Sequence, residues 1–230
     1  MWKITRRMRQ IHNVLALVVG AQILLWMVSG LFFTLYPIET VRGAHLRAPV
    51  DEALVVPDTG WIAPGDVAAG AGSVTLRPWL DRTVYVVESA SGIRMIDAVT
   101  GAELSPLDEA AARRVAEHNW GGEGMLASAA LVAAAPSESG RKGEPMWRIE
   151  FEGRDAATFW ITPDTGEVRA VRTTIWRTYD LLWGLHIMDW SARETFSTWW
   201  IKAAAFTGLV MSLAGVWLLV RRLSTGSLLR

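Results

Sequence analysis

Asn13 to Tyr36, NVLALVVGAQILLWMVSGLFFTLY, is a run of 24 residues without a single charge. As a helix rising about 1.5 Å per residue it extends roughly 36 Å, enough to cross a hydrocarbon core of about 30 Å. A chain with such a run near its start is expected to be anchored in a membrane, and the remaining segments must be placed on one side or the other. Lys3, Arg6, Arg7 and Arg9 precede the run as they would in a secretory signal. The run exceeds a signal's apolar core, however, and Leu35-Tyr36-Pro37-Ile38 offers no small-x-small cleavage site, so the segment reads as a retained span.

Charge distribution then sets a topology. All 23 acidic residues fall between Glu39 and Glu194, where 15 Lys and Arg leave a net charge of −8, while residues 1–12 and 221–230 hold seven basic residues and no acid. A second apolar run, Ala203 to Val220, ends at Arg221-Arg222. Clustered Lys and Arg stay on the cytoplasmic side, so both termini are expected inside and the acidic segment outside. An acidic outer segment argues against nucleic acid as a partner. The chain has no cysteine, which removes disulfides, thiolate metal sites, iron–sulfur clusters and covalent haem attachment.

The expected order is a cytoplasmic lead-in over 1–12, a transmembrane helix over 13–36, an outer domain over 37–173, an interfacial Trp-rich helix over 174–196, a second transmembrane helix over 197–220 and a cytoplasmic tail over 221–230. On a 3.6-residue period His12 is followed by Ala16, Gly20, Ile23, Met27, Gly30 and Thr34. That mostly small stripe suits either a neighbouring helix or a flat cofactor. In the outer domain Ala48 to Gly72 reads as irregular with a short helix near 66–69, and strands follow over 74–77, 83–88 and 93–97. Ser105-Pro106-Leu107-Asp108 reads as a helix start with Ser105 as the cap, running to His118. Further strands are expected over 128–134, 147–152, 156–162 and 167–173. Ile96 to Gly101 and Ile161 to Gly166 match at an offset of 65, which suggests an internal duplication of a small α+β unit with antiparallel sheet. The fold class is therefore membrane α plus α+β.

Ile175 to Trp200 carries five tryptophans, and Trp concentrates where lipid meets water. Ala204, Gly208 and Ser212, with Gly215 beyond, form a small-residue helix-packing face. Two spans bury little, so the expected partners besides the bilayer are a second copy of the chain, making a four-helix bundle, or another membrane subunit.

Three of the four histidines are expected at membrane edges, His12 on the inner side and His45 and His186 on the outer. A b-type haem needs two imidazoles across one iron with their other nitrogens oriented by acceptors, and His45 with His186 could form such a pair. His12 lies about 36 Å from the outer face and would need an imidazole from another chain. Ordinary hydrogen-bonded interfacial histidines are the alternative. His118 reads as a surface residue at a helix C-terminus. The acidic pairs Asp51-Glu52 and Asp108-Glu109 lack an accompanying histidine, and no phosphate loop, nucleophile elbow or HExxH is present, so any electron donor must come from elsewhere.

Arg6 to His12 leading into Leu24 to Leu31, IETVRGAHL at 38–46, WRIEF at 147–151, TPDTGEV at 162–168 and YDLLWGLHIMDW at 179–190 together resemble the PepSY-associated transmembrane family. The resemblance covers most of the chain and implies a periplasmic PepSY domain between inner-membrane helices. Larger four-helix relatives are associated with ferric-siderophore reduction and carry haem b on membrane histidines. Carried over by motif, His12, His45 and His186 become candidate haem ligands of an electron-transfer protein, or of a haem-dependent reductase needing an external donor. A non-catalytic accessory subunit of a respiratory, photosynthetic or transport complex is the competing expectation.

Overall fold

The computed structural model describes residues 2–50, 53–58, 60–67 and 69–224; the acidic pair Asp51-Glu52 lies outside them. The chain divides into two compact units, one made of Met1–Pro37 with Thr178–Arg230 and the other of Ile38–Arg177.

The first unit is helical. Helix α1 covers Trp2–Leu35 and the last helix, α6, covers Trp199–Ser224. Both are long and apolar enough to cross a membrane, over Arg6–Leu35 and Trp199–Ser224, and only 11% and 6% of their most apolar windows are buried within the chain. A core helix of a water-soluble protein would be covered by its own chain; these present their apolar side chains outward. The covered face of α1 runs through His12, Leu15, Val19, Gln22, Trp26, Ser29 and Phe33, a repeat near 3.5 residues, as expected where two helices coil around one another. The stripe expected below His12 departs from this line. Ile23 and Met27 are 42% and 64% exposed, and a Cβ at Gly20 or Gly30 would meet nothing within 4 Å. A strict 3.6 period drifts off the packed seam within two turns.

In the second unit the short helices α2 (Ile38–Val41) and α3 (Pro64–Val67) precede two antiparallel sheets. The first pairs β1 (Ala71–Trp79), β2 (Arg82–Ser89) and β3 (Gly92–Asp97) in order; the second pairs β4 (Leu126–Val132), β5 (Met146–Phe151), β6 (Thr158–Ile161) and β7 (Val168–Arg172) in order. Trp147, Ile149 and Phe151 alternate inward along β5, as the sequence predicts. They meet Phe159 and Ile161 of β6, Val84 and Met95 of the first sheet, and helix α4 (Glu109–His118) in one core. Ring geometry fixes its centre, with Trp120 stacked 4.0 Å from Phe151 and Phe159 edge-on to both.

The start of α4 differs from expectation. Asp108 is its N-cap, accepting from the Ala111 backbone N–H at 2.7 Å. Ser105 instead accepts from the backbone N–H of Met95 at 2.8 Å and so ties the loop to β3. A hydroxyl with a strand donor in reach serves the tertiary bond, and the carboxylate three residues on suits the helix dipole better. Asp108→Ala is expected to lower the stability of this unit by about 1 kcal/mol, whereas Ser105 exchanged for Ala leaves helix content unchanged; circular dichroism melts of the two variants separate these roles.

The two segments matched at an offset of 65 adopt the same turn. Gly101 and Gly166 both have positive φ, 73° and 66°, and their N–H groups donate to Asp97 O and Thr162 O at 2.9 Å. The likeness ends beyond the turn: β7 continues the second copy, and only a single bridge, Ile96 to Glu103, continues the first.

Candidate functional site

Helix α5 (Thr174–His186) carries His186 as its last residue. The helix stops there because the chain turns left-handed at Met188, with φ of 54°, so that the Asp189 N–H returns to Gly184 O at 3.0 Å. The imidazole meets α1 along its seam. Ser29, 2% exposed, donates its hydroxyl to Leu25 O at 2.7 Å, and its Oγ lies 2.8 Å from His186 Nδ1. The Ser29 hydroxyl has one proton to give, to Leu25 O or to Nδ1; where it goes to the carbonyl, Oγ accepts from Nδ1, and Nε2 of His186 has no hydrogen-bond partner among the described residues. Trp26 donates to His186 O at 2.8 Å, and Phe33 and Trp26 flank the ring at 5.4 and 6.4 Å.

His12 shows the same chemistry at the other end of α1. Its Nδ1 is 3.2 Å from Met211 O on α6; a carbonyl only accepts, so Nδ1 donates and Nε2 again is open. The approach depends on Gly215, where a Cβ would come within 3.1 Å of His12 Cε1. Within its own chain His12 thus has a backbone carbonyl for a partner and not an imidazole. Met211 gave no sequence signal because any residue type supplies a carbonyl. Through their α1 partners His12 and His186 are separated by 17 residues of helix, about 25 Å, so one iron cannot take both from one chain.

His45 belongs to the second unit. It sits in a single 3-10 turn, Ala44–Leu46, exposed and without a hydrogen-bond partner among the described residues. The turn itself is pinned. Gly43 has φ of 72°, and a Cβ there would stand 2.6 Å from Val171 Cγ1; Leu46 is buried in the core, and the Arg47 guanidinium donates to Val168 O at 3.0 Å. Together these hold His45 on a rigid corner. His118 ends α4, exposed, as the sequence predicts, and Asp108-Glu109 serves as a helix start. Among the described residues no group of three or more His, Asp or Glu side chains is placed to hold a bare metal ion.

Ser29 carries no signal in the sequence, and Asp189 is legible there only as a residue on the His186 face of the helix. Both lie inside the segments that carry the family resemblance, LLWMVSGL and LHIMDW, but their roles need the fold. Asp189, 5% exposed, accepts from the backbone N–H groups of Ala192, Glu194 and Thr195 at 3.1–3.3 Å and from the Ser191 hydroxyl. It thereby shapes the connection from α5 to α6. Burial would raise its pKa, but the backbone donors outweigh burial and hold the carboxyl at about 2, against an ordinary 3.8. A depressed folded-state pKa means that the stabilisation is complete above the ordinary value and is lost as pH falls toward 2. Between pH 4 and 2 the full-length chain is expected to lose thermal stability more steeply than its Asp189→Asn variant; identical acid limbs in melts of the two would show that the carboxylate does not organise this loop.

Comparison with family models, curated proteins and solved structures finds no match for this chain.

Proposed function

We propose that this chain is a haem b-binding inner-membrane protein that passes electrons toward the periplasm, to an acceptor such as a ferric chelate. In this reading both termini are cytoplasmic and the sheet-containing unit is a periplasmic, PepSY-like domain. The observation that carries the proposal is the shared setting of His12 and His186: each has Nδ1 within hydrogen-bond distance of an oxygen, Met211 O and Ser29 Oγ, and no partner at Nε2 among the described residues. Metal-bound imidazoles are held in this way, the second nitrogen fixing tautomer and ring orientation and raising basicity. The donor set fits haem iron in a chain that lacks cysteine, since imidazole is the strongest iron ligand remaining.

His186 would hold iron through Nε2, and the sequence reading assigns His45 as its second imidazole; His12 would need an imidazole from another chain. When bound, haem b supplies a one-electron couple. Ser29 and Met211 O would orient the ligands, and the Trp26 and Phe33 rings would pack beside the His186 imidazole. A reduced-minus-oxidised absorbance spectrum of the chain extracted in mild detergent tests the reading: Soret and α bands are expected, and a folded, colourless preparation overturns it.

Trp190 and Trp199, 53% and 63% exposed near the start of α6, favour a second reading, an accessory subunit docked on a larger membrane complex. Native mass spectrometry after gentle extraction would then find a stable heteromer with no haem on this chain.

A further inference from the structure

The two sheets of the sheet-containing unit have edge strands β1, β3, β4 and β7, and all but β4 are closed or blunted. Beside β3, Leu104 N–H donates to Met95 O at 2.8 Å, and Asp97 N–H donates to Ala102 O at 2.9 Å. Val168 O on β7 accepts from the Arg47 guanidinium at 3.0 Å. Gly72 and Pro78 interrupt β1, and such residues discourage pairing at an edge. On β4 nothing comparable stands in the way. From Met125 to Ala135 the chain carries no charge, proline or glycine, and the one bulge, between Leu126 and Ser128, is confined to the start of the strand.

The register shows which groups of β4 are open. Phe151 N–H donates to Ala157 O at 2.9 Å, toward β6, and Glu152 N–H donates the other way, to Met125 O at 2.8 Å. Bonding alternates along an antiparallel pair, so Arg148 and Glu150 exchange bonds with their partners Ala130 and Ser128. Ala129 and Leu131 turn their N–H and C=O groups away from β5, where those groups have no hydrogen-bond partner among the described residues. Solvent reaches this row: Ala127 and Ala130 are exposed, and Leu131 is 54% exposed.

A cavity of about 600 Å³ adjoins the same strand, with walls that include Ala127 and Val132 of β4, Arg148 and Glu150 of β5, and Glu138 and Arg177. Its hydrogen bonding is rich in donors. Both Glu150 oxygens are taken, by Arg148 and by the Ser128 hydroxyl at 2.7 Å. Arg177 donates to Glu138 at 3.3 Å and to Thr158 at 3.1 Å. Each guanidinium carries more N–H groups than these bonds use. Ala130, the partner of Arg148 in the register, puts no more than a methyl group between that guanidinium and the open edge.

We infer that β4 docks an extended segment of another protein, added antiparallel, whose Asp or Glu side chain passes over Ala130 to Arg148. Only another extended backbone matches a row of alternating N–H and C=O groups. Neighbouring strands lie about 4.8 Å apart, so the added strand stands about 10 Å from β5, a gap that a glutamate and an arginine close together. Apolar side chains on its other face cover Ala129 and Leu131. In such strand addition the main chain supplies affinity and a side-chain cavity selects the partner. The inference does not rest on haem, and a colourless preparation leaves it standing.

Full-length chain in mild detergent, titrated against the labelled and end-blocked peptide TVTVEVTVT, provides the test. Anisotropy is expected to show saturable binding, about tenfold tighter than for the same peptide with lysine in place of glutamate, and Arg148→Gln should remove that preference. Residues opposite Ala129 and Leu131 exchange main-chain bonds with them, so methylating the valine nitrogens of the peptide should abolish binding, whereas methylating the threonine and glutamate nitrogens is tolerated. Hydrogen exchange at Ala129 and Leu131 should be fast in the free chain and slow in the complex. Leu131→Pro removes one outward N–H and no ladder bond, so it should weaken binding about tenfold or more while the melting transition stays in place; if that variant unfolds, the methylated peptides decide. No binding at millimolar peptide, equal binding by the two methylated peptides, equal binding of the glutamate and lysine peptides, or slow exchange in the free chain because a second copy already pairs with β4 would each overturn the inference.

Discussion

Replacing His186 with alanine is expected to abolish the Soret and α-band signal of the detergent-extracted chain, because the open Nε2 of that residue is the proposed iron ligand with the best-defined surroundings. Ser29→Ala separates ligation from mere packing. The variant keeps the imidazole but removes the hydroxyl 2.8 Å from Nδ1, and loss of such an orienting partner weakens metal retention about 10- to 100-fold. Haem titration should therefore show a graded loss for Ser29→Ala and a complete one for His186→Ala, with His45→Ala matching the latter if the sequence-based pairing is right. Equal spectra for wild type and both His variants would leave only a membrane-anchored scaffold. Ser29 also bonds Leu25 O within its own helix, so its removal should barely change helix content, and far-ultraviolet circular dichroism provides that control.

Phe159→Ala should be the most damaging substitution in the sheet-containing unit. The ring is fully buried between Phe151 and Trp120, with centroids 5.1 and 5.6 Å away, and removing a core phenylalanine costs about 3–5 kcal/mol in lost transfer energy and cavity formation. For a unit of this size that amounts to a fall of roughly 10–15 °C in its melting transition. Leu131→Ala, on a side chain 54% exposed, should move the transition by a degree or two at most. Near-ultraviolet circular dichroism of the full-length protein reports both, and similar shifts for the two variants would mean that the core is not organised around the Trp120–Phe151–Phe159 cluster.

The apolar helices, the order of the strands and the turn repeated at residues 97–102 and 162–167 were legible because each is written locally. Charge-free length, alternation and an αL glycine are properties of neighbouring residues, and tertiary contacts seldom reverse them. The boundary of α4 was misread for an equally physical reason: Ser105 and Asp108 are both good caps in isolation, and only the nearby Met95 N–H decides which one is spent on a strand. The same holds for the seam of α1. Periodicity correctly marks the helix, but whether Met27 or Trp26 is covered depends on the coiling of α1 against its neighbours.

Sequence by itself determined that this chain has two membrane-length helices flanking an α+β segment and that it has no thiolate to offer a metal, since length, charge and composition do not depend on the fold. Tertiary structure alone decided that Met211 O takes the Nδ1 proton of His12 and that Ser29 meets Nδ1 of His186, that His45 stands exposed on a corner fixed by Gly43, and that Gln22 Nε2 has no hydrogen-bond partner among the described residues. These are relations between groups up to 199 residues apart, and a hydrogen-bond direction exists only once donor and acceptor have been brought together.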